Sequence, residues 1–581
     1  MNDDFAWADD TALPAHDPTD FLQPHSDLNR PKVVEPLGNP HFHVLGLNGQ
    51  TLAVQPAMAA DILEIAIPAL KPPVLMRLAP LHWWEVEFPG KSGCDWNAAI
   101  NFLIRAGEKT GRFNPDNVVG RGVFAIRDQI VAHLGDSVRI GNERTSLAEA
   151  TRMGGLAFAE GDPVPLRDLP PLRADEAGKL DDVCRRLDWQ QPGMGQLLAG
   201  WIAIAPLSGI LRWRPHIWIN GPFESGKSFV LGEIVARTLE GVAIPIAGSA
   251  TEAGIRQHIG RDAWPVLLDE AEAKDEKSAA RLSGVLELMR SAASQDGAKI
   301  VKGGAGGRSA TFKVRSCFAM ASIDAAIVQT ADASRIVRLS LNGPRDGAGA
   351  EEKAERAKRF AGIKTELLAM ERTDFGTRLF WRSFDLSLTI LANAKAFGIA
   401  LTALTNSGRL ADVVAPLLAG WHSLRSDALL SVEDAQRIVE KTPWISAAAG
   451  RSATERDHDA ALRHLIAAQV RTDAGDQRSI GELIETVGLR DVGSSGAESL
   501  LARHGLRVEM PDHPGGDIGL LVCRGHGALK ALFHGTQWSA SPQDTLGQHP
   551  HAIVTANPVR FGSGIKQRAV RISLIKVGFF E

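Results

Sequence analysis

No tyrosine occurs anywhere in this 581-residue chain, where average usage would supply about a dozen or more. Chemistry in which a phenol oxygen attacks a phosphodiester, as in relaxases, rolling-circle initiators, tyrosine recombinases and topoisomerases, is thereby excluded. Cysteine is nearly as scarce. Its four copies, Cys94, Cys184, Cys317 and Cys523, lie far apart without C-x-x-C spacing, so neither a zinc ribbon nor a disulfide framework is expected, and a reducing cytoplasm fits. No uninterrupted apolar run of membrane-spanning length stands out, nor a basic-then-apolar leader, so the expectation is a cytoplasmic chain without a membrane partner. A strong field of one sign is missing too. The net charge is −4, so contact with nucleic acid has to come from local basic patches.

What is present is ordinary globular composition, 44% hydrophobic and 23% charged residues, over a length that suggests about three or four domains or one large core with appendages. Residues Gly221-Pro222-Phe223-Glu224-Ser225-Gly226-Lys227-Ser228 read G-x-x-x-x-G-K-S. The apolar run Pro215–Ile219 predicts a buried strand before it, and Phe229–Leu239 predicts a helix after it, stopped by Gly241. Strand, glycine-rich loop and helix are the context this motif requires. The expected site is a triphosphate cradle made of Gly221, Glu224, Ser225, Gly226, Lys227 and Ser228. Its backbone N–H groups and helix N-terminus face the phosphates, Lys227 reaches the outer ones, and the Ser228 hydroxyl holds Mg²⁺. ATP and Mg²⁺ are the cofactors this implies.

A second apolar strand, Trp264–Leu268, ends in the adjacent carboxylates Asp269 and Glu270. Asp269 is placed to hold the Mg²⁺ shell, and Glu270 to polarise an attacking water, which makes hydrolysis the expected reaction. A P-loop kinase, whose nucleophile is an acceptor hydroxyl, has no need of that second carboxylate. Glu252 and Glu272 are less well placed alternatives for the base. Downstream, Lys299–Lys302 and Thr311–Val314 flank a Gly303–Gly307 stretch, a hairpin pattern that makes Lys302 and Arg308 the tip of a basic finger. The buried run Ser316–Ser322 ends on a polar residue, and Ser322 is the candidate phosphate sensor. Arg335 opens the next strand. It suits an arginine finger acting on a neighbouring subunit's nucleotide, with a surface salt bridge as the alternative.

The flanks are less specific. Residues 1–30 carry seven aspartates and three prolines, the pattern of a disordered acidic tail. In the next domain, Trp83, Trp84 and Trp96 with Arg112, Arg121 and Arg139 fit either a nucleic-acid platform or ordinary core. Near the end of the chain Arg560, Lys566, Arg568 and Arg571 sit on predicted strands that follow two helices. That is a winged-helix pattern, or else a charged sheet edge.

P-loop, D-E strand, basic hairpin, polar-ended strand and arginine, in that order, resemble the superfamily 3 helicase layout within AAA+ ATPases. Arg214–Trp218, Thr251–Gln257, Asp262–Glu272 and Arg315-Ser316, with Leu78–Glu85 further upstream, are similar to the helicase portion of phage and integrated-element primase–helicase proteins. The resemblance covers roughly residues 40–345. Taken with the residue patterns along the chain, the expected layout is an α/β P-loop NTPase core (207–344) after a 1–30 tail, an N-terminal α+β domain (31–160) and a linker with helices (161–206). From composition and pattern alone, a helical lid (345–475) and a winged-helix-like C-terminal domain (476–581) are expected to complete it. The resemblance implies an ATP-driven DNA helicase, a homo-oligomer in the form of a hexameric ring, single-stranded DNA as partner, and Lys302 and Arg308 lining the pore. Superfamily 3 helicases place Asn at the sensor position, where this chain has Ser322. No zinc ribbon or carboxylate set for primer synthesis is visible, so a primase or initiator would be a separate chain. The competing expectation is an ATP-switched loader or remodeller of a protein partner that does not translocate.

Overall fold

The computed structural model describes residues 41–57, 61–269, 275–294, 300–303, 309–323, 335–344, 350–442 and 457–580, with short gaps at 512, 514–515, 535, 537, 540 and 563–564. The acidic tail, Glu270, Glu272 and Arg308 lie outside the described residues. Two compact units emerge, one extending to Ser446 and one formed by Ala447–Glu581.

The first unit begins with a three-stranded antiparallel sheet, β1 (Phe42–Asn48), β2 (Thr51–Pro56) and β3 (Leu63–Ala66), packed against α1 (Trp96–Thr110). Asp95 caps α1 by accepting from the N–H groups of Asn97 and Ala98, which satisfies two donors the helix leaves open. Trp84 is fully buried here, and its indole N–H is shared by the Leu75 and Ala79 carbonyls. Trp83 and Trp96 pack against the same cluster, so the tryptophans serve as core. A four-stranded antiparallel sheet follows: β4 (Gly122–Ile126), β5 (Gln129–His133), β6 (Ser137–Ile140) and β7 (Glu143–Ser146).

Two arginines weighed above as a platform are committed inside the unit. Arg121 grips Asp262 through its backbone N–H (2.7 Å), Nε (2.9 Å) and a terminal nitrogen (2.7 Å). Flanking backbone bonds, Gly120 N–H to Arg261 O and Ala263 N–H to Arg121 O, complete the clamp. Arg139 binds Asp168 and lies 3.8 Å over the Trp381 ring. The proline-rich stretch 162–171 is docked as well, with the Trp381 indole donating to Arg167 O and Arg378 to Pro170 O.

After α2 (Ala174–Arg185) and α3 (Met194–Ile204) comes a five-stranded parallel sheet built from β8 (His216–Asn220), β9 (Ile244–Ala247), β10 (Val266–Asp269), β13 (Phe318–Ser322) and β14 (Ile336–Ser340). Its order is β9-β10-β13-β8-β14. The central strands are near-continuous apolar runs, as burial on both faces demands. Between β8 and β9 runs α4, a turn of α-helix over Lys227–Phe229 that continues as π-helix over Val230–Ala236. Helices α5 (Glu252–Ile259) and α6 (Glu276–Ala292) lie either side of β10 in sequence. The expected hairpin is present as β11 (Ile300–Gly303) and β12 (Ser309–Phe312), with Lys302 opposite Ala310. Arg256 of α5 lies 4.1 Å over the Phe312 ring at its base.

Among the described residues five helices follow: α7 (Ala350–Glu371), α8 (Phe375–Asp385), α9 (Ser387–Thr405), α10 (Gly408–Ser423) and α11 (Val432–Glu440). Among the described residues α9 is the one helix long and apolar enough to cross a bilayer. It packs on α10 and α11, and its buried Asn393 side chain bonds Ala428 O and Leu430 N–H, the behaviour of a core helix.

The terminal unit starts earlier than the expected boundary at 475/476, because α12 (Asp457–Ala467) contributes Ala461, Leu462 and Leu465 to its core. The hairpin β15 (Gln469–Arg471) and β16 (Gln477–Ser479) comes next, then α13 (Ile480–Gly488) and α14 (Ser494–Arg503). Strands β17 (Leu506–Glu509), β18 (Gly519–Cys523), β19 (Ala552–Val554) and β22 (Ala569–Ser573) form a sheet in the order β17-β18-β22-β19. A separate hairpin, β20 (Val559–Phe561) and β21 (Ile565–Gln567), lies between β19 and β22 in sequence.

Candidate functional site

Parallel strands bring their C-terminal ends to one edge of the sheet, and the glycine-rich loop leaves β8 at that edge. Two residues of the loop take left-handed backbone: Glu224 at φ +61° and Gly226 at φ +94°. Interrupting the chain this way turns successive N–H groups toward one concavity, the geometry that cradles anions. Glycine is required at 226 twice over, since a Cβ there would also lie 2.5 Å from the Phe360 ring. At Gly221 a Cβ would meet Leu341 O at 2.7 Å, so the loop is pressed against the end of β14. Lys227 bends back over its own loop, its amine donating to Gly221 O (2.8 Å) and Pro222 O (2.9 Å). Ser225 is buried and Ser228 is exposed on the first turn of α4.

The other strand ends supply polar groups. Asp269 closes β10 and is exposed. In the register, Asn220 at the end of β8 faces Ser322 of β13 on one side and Ser340 of β14 on the other. Ser340 donates to the Asn220 side-chain oxygen at 2.9 Å, and the fully buried Trp218 indole donates to Ser322 Oγ at 2.7 Å. Ser322 is therefore at the expected edge, with its hydroxyl already part of a bond that ties β13 to β8. Sequence reasoning overlooked Asn220. It brings an amide beside Ser322, at an edge where the sensor strand itself carries no Asn; the signal was its position one residue before Gly221.

A second overlooked group belongs to α7. Arg356 donates to Asp188 (2.9 Å), to the Asn342 and Gly343 carbonyls, and to the Glu224 carbonyl in the loop (3.4 Å). Arg359 approaches Asp188 at 3.6 Å, and Phe360 packs edge-on against Phe229 of α4. Helix α7 is thus fastened to the loop and its following helix. Beside this contact opens a cleft of about 530 Å³ lined by Leu187, Asp188, Trp189, Gln196 and Arg359 among others.

Of the remaining expected residues, Lys302 is on β11, whose pairing is described, while Arg308 and Glu270 fall outside the described residues. Glu252 is bound to Arg256 at 2.8 Å, which commits its carboxylate. Arg335 precedes β14 and so lies at the N-terminal edge of the sheet, the edge away from the loop. That edge is dry. His216 there is fully buried and held neutral, its pKa pushed down to about 4 by burial. Arg214, bonded to Ser208 O and Ala292 O, is lowered to about 10 by the same cause.

In the terminal unit His458, Asp459 and His549 come together. His549 Nδ1 accepts from the His551 N–H at 3.0 Å, which leaves the ring proton on Nε2, facing Asp459 at 3.1 Å. Both nitrogens of His549 are thereby engaged and neither offers a bare lone pair to a metal, so His549 and Asp459 form a hydrogen-bonded pair.

No protein-family model matches the chain, and no curated protein matches it. Among solved structures, the crystal structure of a protein described as a "putative ATPase" from Cytophaga hutchinsonii aligns at 13% identity over 46% of this chain and 84% of its own, with a TM-score of 0.25. A likeness of that size carries no weight, and the functional reading rests on the residues.

Proposed function

We propose that this chain is a Mg²⁺-dependent ATPase whose core drives a nucleic-acid motor, an ATP-dependent DNA helicase or translocase of the phage or mobile-element kind. The observation that carries the reading is the G-x-x-x-x-G-K-S loop between a parallel strand and a helix, with left-handed turns at Glu224 and Gly226 and an acidic strand end two strands away. In this reading the loop N–H groups and the start of α4 hold the triphosphate, and Lys227 swings from the Gly221 and Pro222 carbonyls onto the outer phosphates. Strand β13 separates β8 from β10, which puts Asp269 roughly 10 Å across the sheet from the loop strand. Ser228 and Asp269 would be the oxygen donors that hold a hard cation such as Mg²⁺. Bound there, Mg²⁺ neutralises phosphate charge. Glu270, next along from Asp269, orients and deprotonates the attacking water. Asn220 and Ser322 supply polar contacts at the same edge, and Arg356 ties movement of α7 to the state of the loop.

Lys302 and Arg308 on the β11–β12 hairpin are assigned to single-stranded DNA, in a homo-oligomeric, hexameric ring to which Arg335 contributes a finger. The test is ATP hydrolysis with and without single-stranded DNA for wild type, Lys227→Ala and Glu270→Gln. Turnover that DNA stimulates and both variants abolish supports the motor. DNA-indifferent turnover overturns the motor half and leaves the remodeller of a protein partner; wild-type protein without turnover overturns the ATPase.

A further inference from the structure

In the terminal unit several arginines are spoken for. Arg503 pairs with Asp473, Arg478 with Glu482, Arg524 with Asp544, and Arg571 with both Glu509 and Asp517. Arg571, counted in the sequence as part of a basic end, is thereby neutralised. One hairpin instead gathers cations side by side. On the β20–β21 hairpin the register sets Arg560 directly opposite Lys566, both exposed. Arg568, two residues beyond Lys566, is exposed as well. Arg507 of β17 donates to the Arg560 carbonyl, which brings a fourth exposed cation to the hairpin. None of the four has an acidic partner among the described residues.

The hairpin is built to present them. Phe561 is buried and Val559 and Ile565 are half-buried against Leu521, Cys523 and Ala569, so strand alternation turns Arg560 and Lys566 to the solvent side. Like charges opposed across an antiparallel pair destabilise it. A short hairpin keeps them at that cost only with a compensating use for the charge. Helix α14, the second of the helix pair, offers no competing site. Its residues Ser494, Ser495, Glu498 and Ser499 carry no cation, and its Arg503 is paired. The hairpin tip lies against this helix, with the Gly562 position about 4.0 Å from Ala502.

We propose that the outer face of the β20–β21 hairpin, Arg560, Lys566 and Arg568 with Arg507 beside them, is a sequence-independent binding surface for the phosphate backbone of nucleic acid. Three of the four are arginines, whose planar fork matches phosphate oxygens. The hairpin exposes no large apolar side chain, as a membrane-inserting or hydrophobic docking face would; the exposed Ile553 and Val554 belong to β19. This surface is separate from the nucleotide site, and its test needs no ATP, so failure of the ATPase reading leaves it standing.

The experiment measures fluorescence anisotropy of labelled single-stranded and duplex DNA with the full chain, without nucleotide, at several salt concentrations. Arg560→Ala/Lys566→Ala is compared with wild type, with Arg560→Lys/Lys566→Arg, and with Lys179→Ala/Lys441→Ala, which removes equal charge from elsewhere. The expected result is weaker binding and a log–log salt slope shallower by about 1.5 in the first variant, the loss of two phosphate contacts. The swapped and distant variants keep the wild-type slope. An unchanged slope in Arg560→Ala/Lys566→Ala overturns the proposal, as does an equal change in Lys179→Ala/Lys441→Ala. Circular dichroism checks folding; should the alanine pair unfold, Arg560→Gln/Lys566→Gln takes its place under the same criteria.

Discussion

Ser322 holds two assignments at once, a sensor of phosphate and the acceptor for a buried indole, and the two can be separated by measurement. Trp218 is fully buried and its N–H donates to Ser322 Oγ at 2.7 Å, while Ser322 itself is 2% exposed. Ser322→Ala changes almost no volume, so there is no cavity term. What it removes is the acceptor, and an orphaned buried donor costs about 1–3 kcal/mol. A loss of ATPase activity in this variant alone would therefore be ambiguous, since the strand next to the loop strand is loosened at the same time. Trp218→Phe removes the donor instead and carries a packing cost of its own, which a double-mutant cycle subtracts. Urea unfolding of wild type, both single variants and the double variant is expected to give a coupling energy of about 1–2 kcal/mol. Turnover is then compared within the Trp218→Phe background, where the bond from the indole is gone. If Ser322 acts on the phosphate, adding Ser322→Ala there still lowers turnover by roughly tenfold or more, the size of one charge-assisted hydrogen bond. If its work is the indole bond, turnover stays at the Trp218→Phe level. A coupling energy below about 0.5 kcal/mol, the limit of ordinary additivity, would refute the claim that this bond joins β13 to β8.

Acid should destabilise the first unit in a defined window. His133 and His216 are buried neutral with pKa values pushed down to about 4 from 6.5, so each contributes about 3 kcal/mol that is fully present above pH 6.5 and lost as pH falls toward 4; urea midpoints that stay level between pH 6.5 and 4.5 would contradict this. The trans role of Arg335 predicts complementation. Lys227→Ala and Arg335→Ala, each inactive alone, should regain ATPase activity when mixed, because the first supplies an arginine to the intact loop of the second; a mixture as inactive as its parts would remove Arg335 from the mechanism.

Local pattern made much of the core readable. The apolar runs around Ile217–Ile219, Val266–Leu268 and Phe318–Ala321 are buried parallel strands, and the glycines at 303–307 do separate two paired strands. What escaped depends on partners distant in sequence. Arg121 and Arg139 have the composition of a binding platform, but Asp262 lies 141 residues from the first and Asp168 29 from the second. Without them a committed arginine and a free one are the same letter. Asn220 became visible only once the strand order set β8 between β13 and β14. The contact of Arg356 with Glu224 spans 132 residues and follows from where α7 lies, which no periodicity encodes. In the terminal unit the converse holds. Four basic residues near the end look alike in sequence, and only pairing shows that Arg571 is neutralised while Arg560 and Lys566 face each other.

Strand polarity decides what Arg335 can do. Strand β14 runs parallel to β8 with Ile336 opposite His216 and Ser340 opposite Asn220. The loop leaves the Asn220 end, and Arg335 enters at the His216 end. Five residues of strand lie between them, roughly 16 Å at the usual rise per residue, and the intervening sheet is packed core. No rotamer carries that guanidinium to its own chain's loop. An arginine in this place therefore either serves the buried edge around His216 or acts on a nucleotide held by another copy, with no cis mechanism between the two. Ring assembly and the finger role are one hypothesis rather than two: evidence against an oligomer would leave Arg335 only its structural place beside His216.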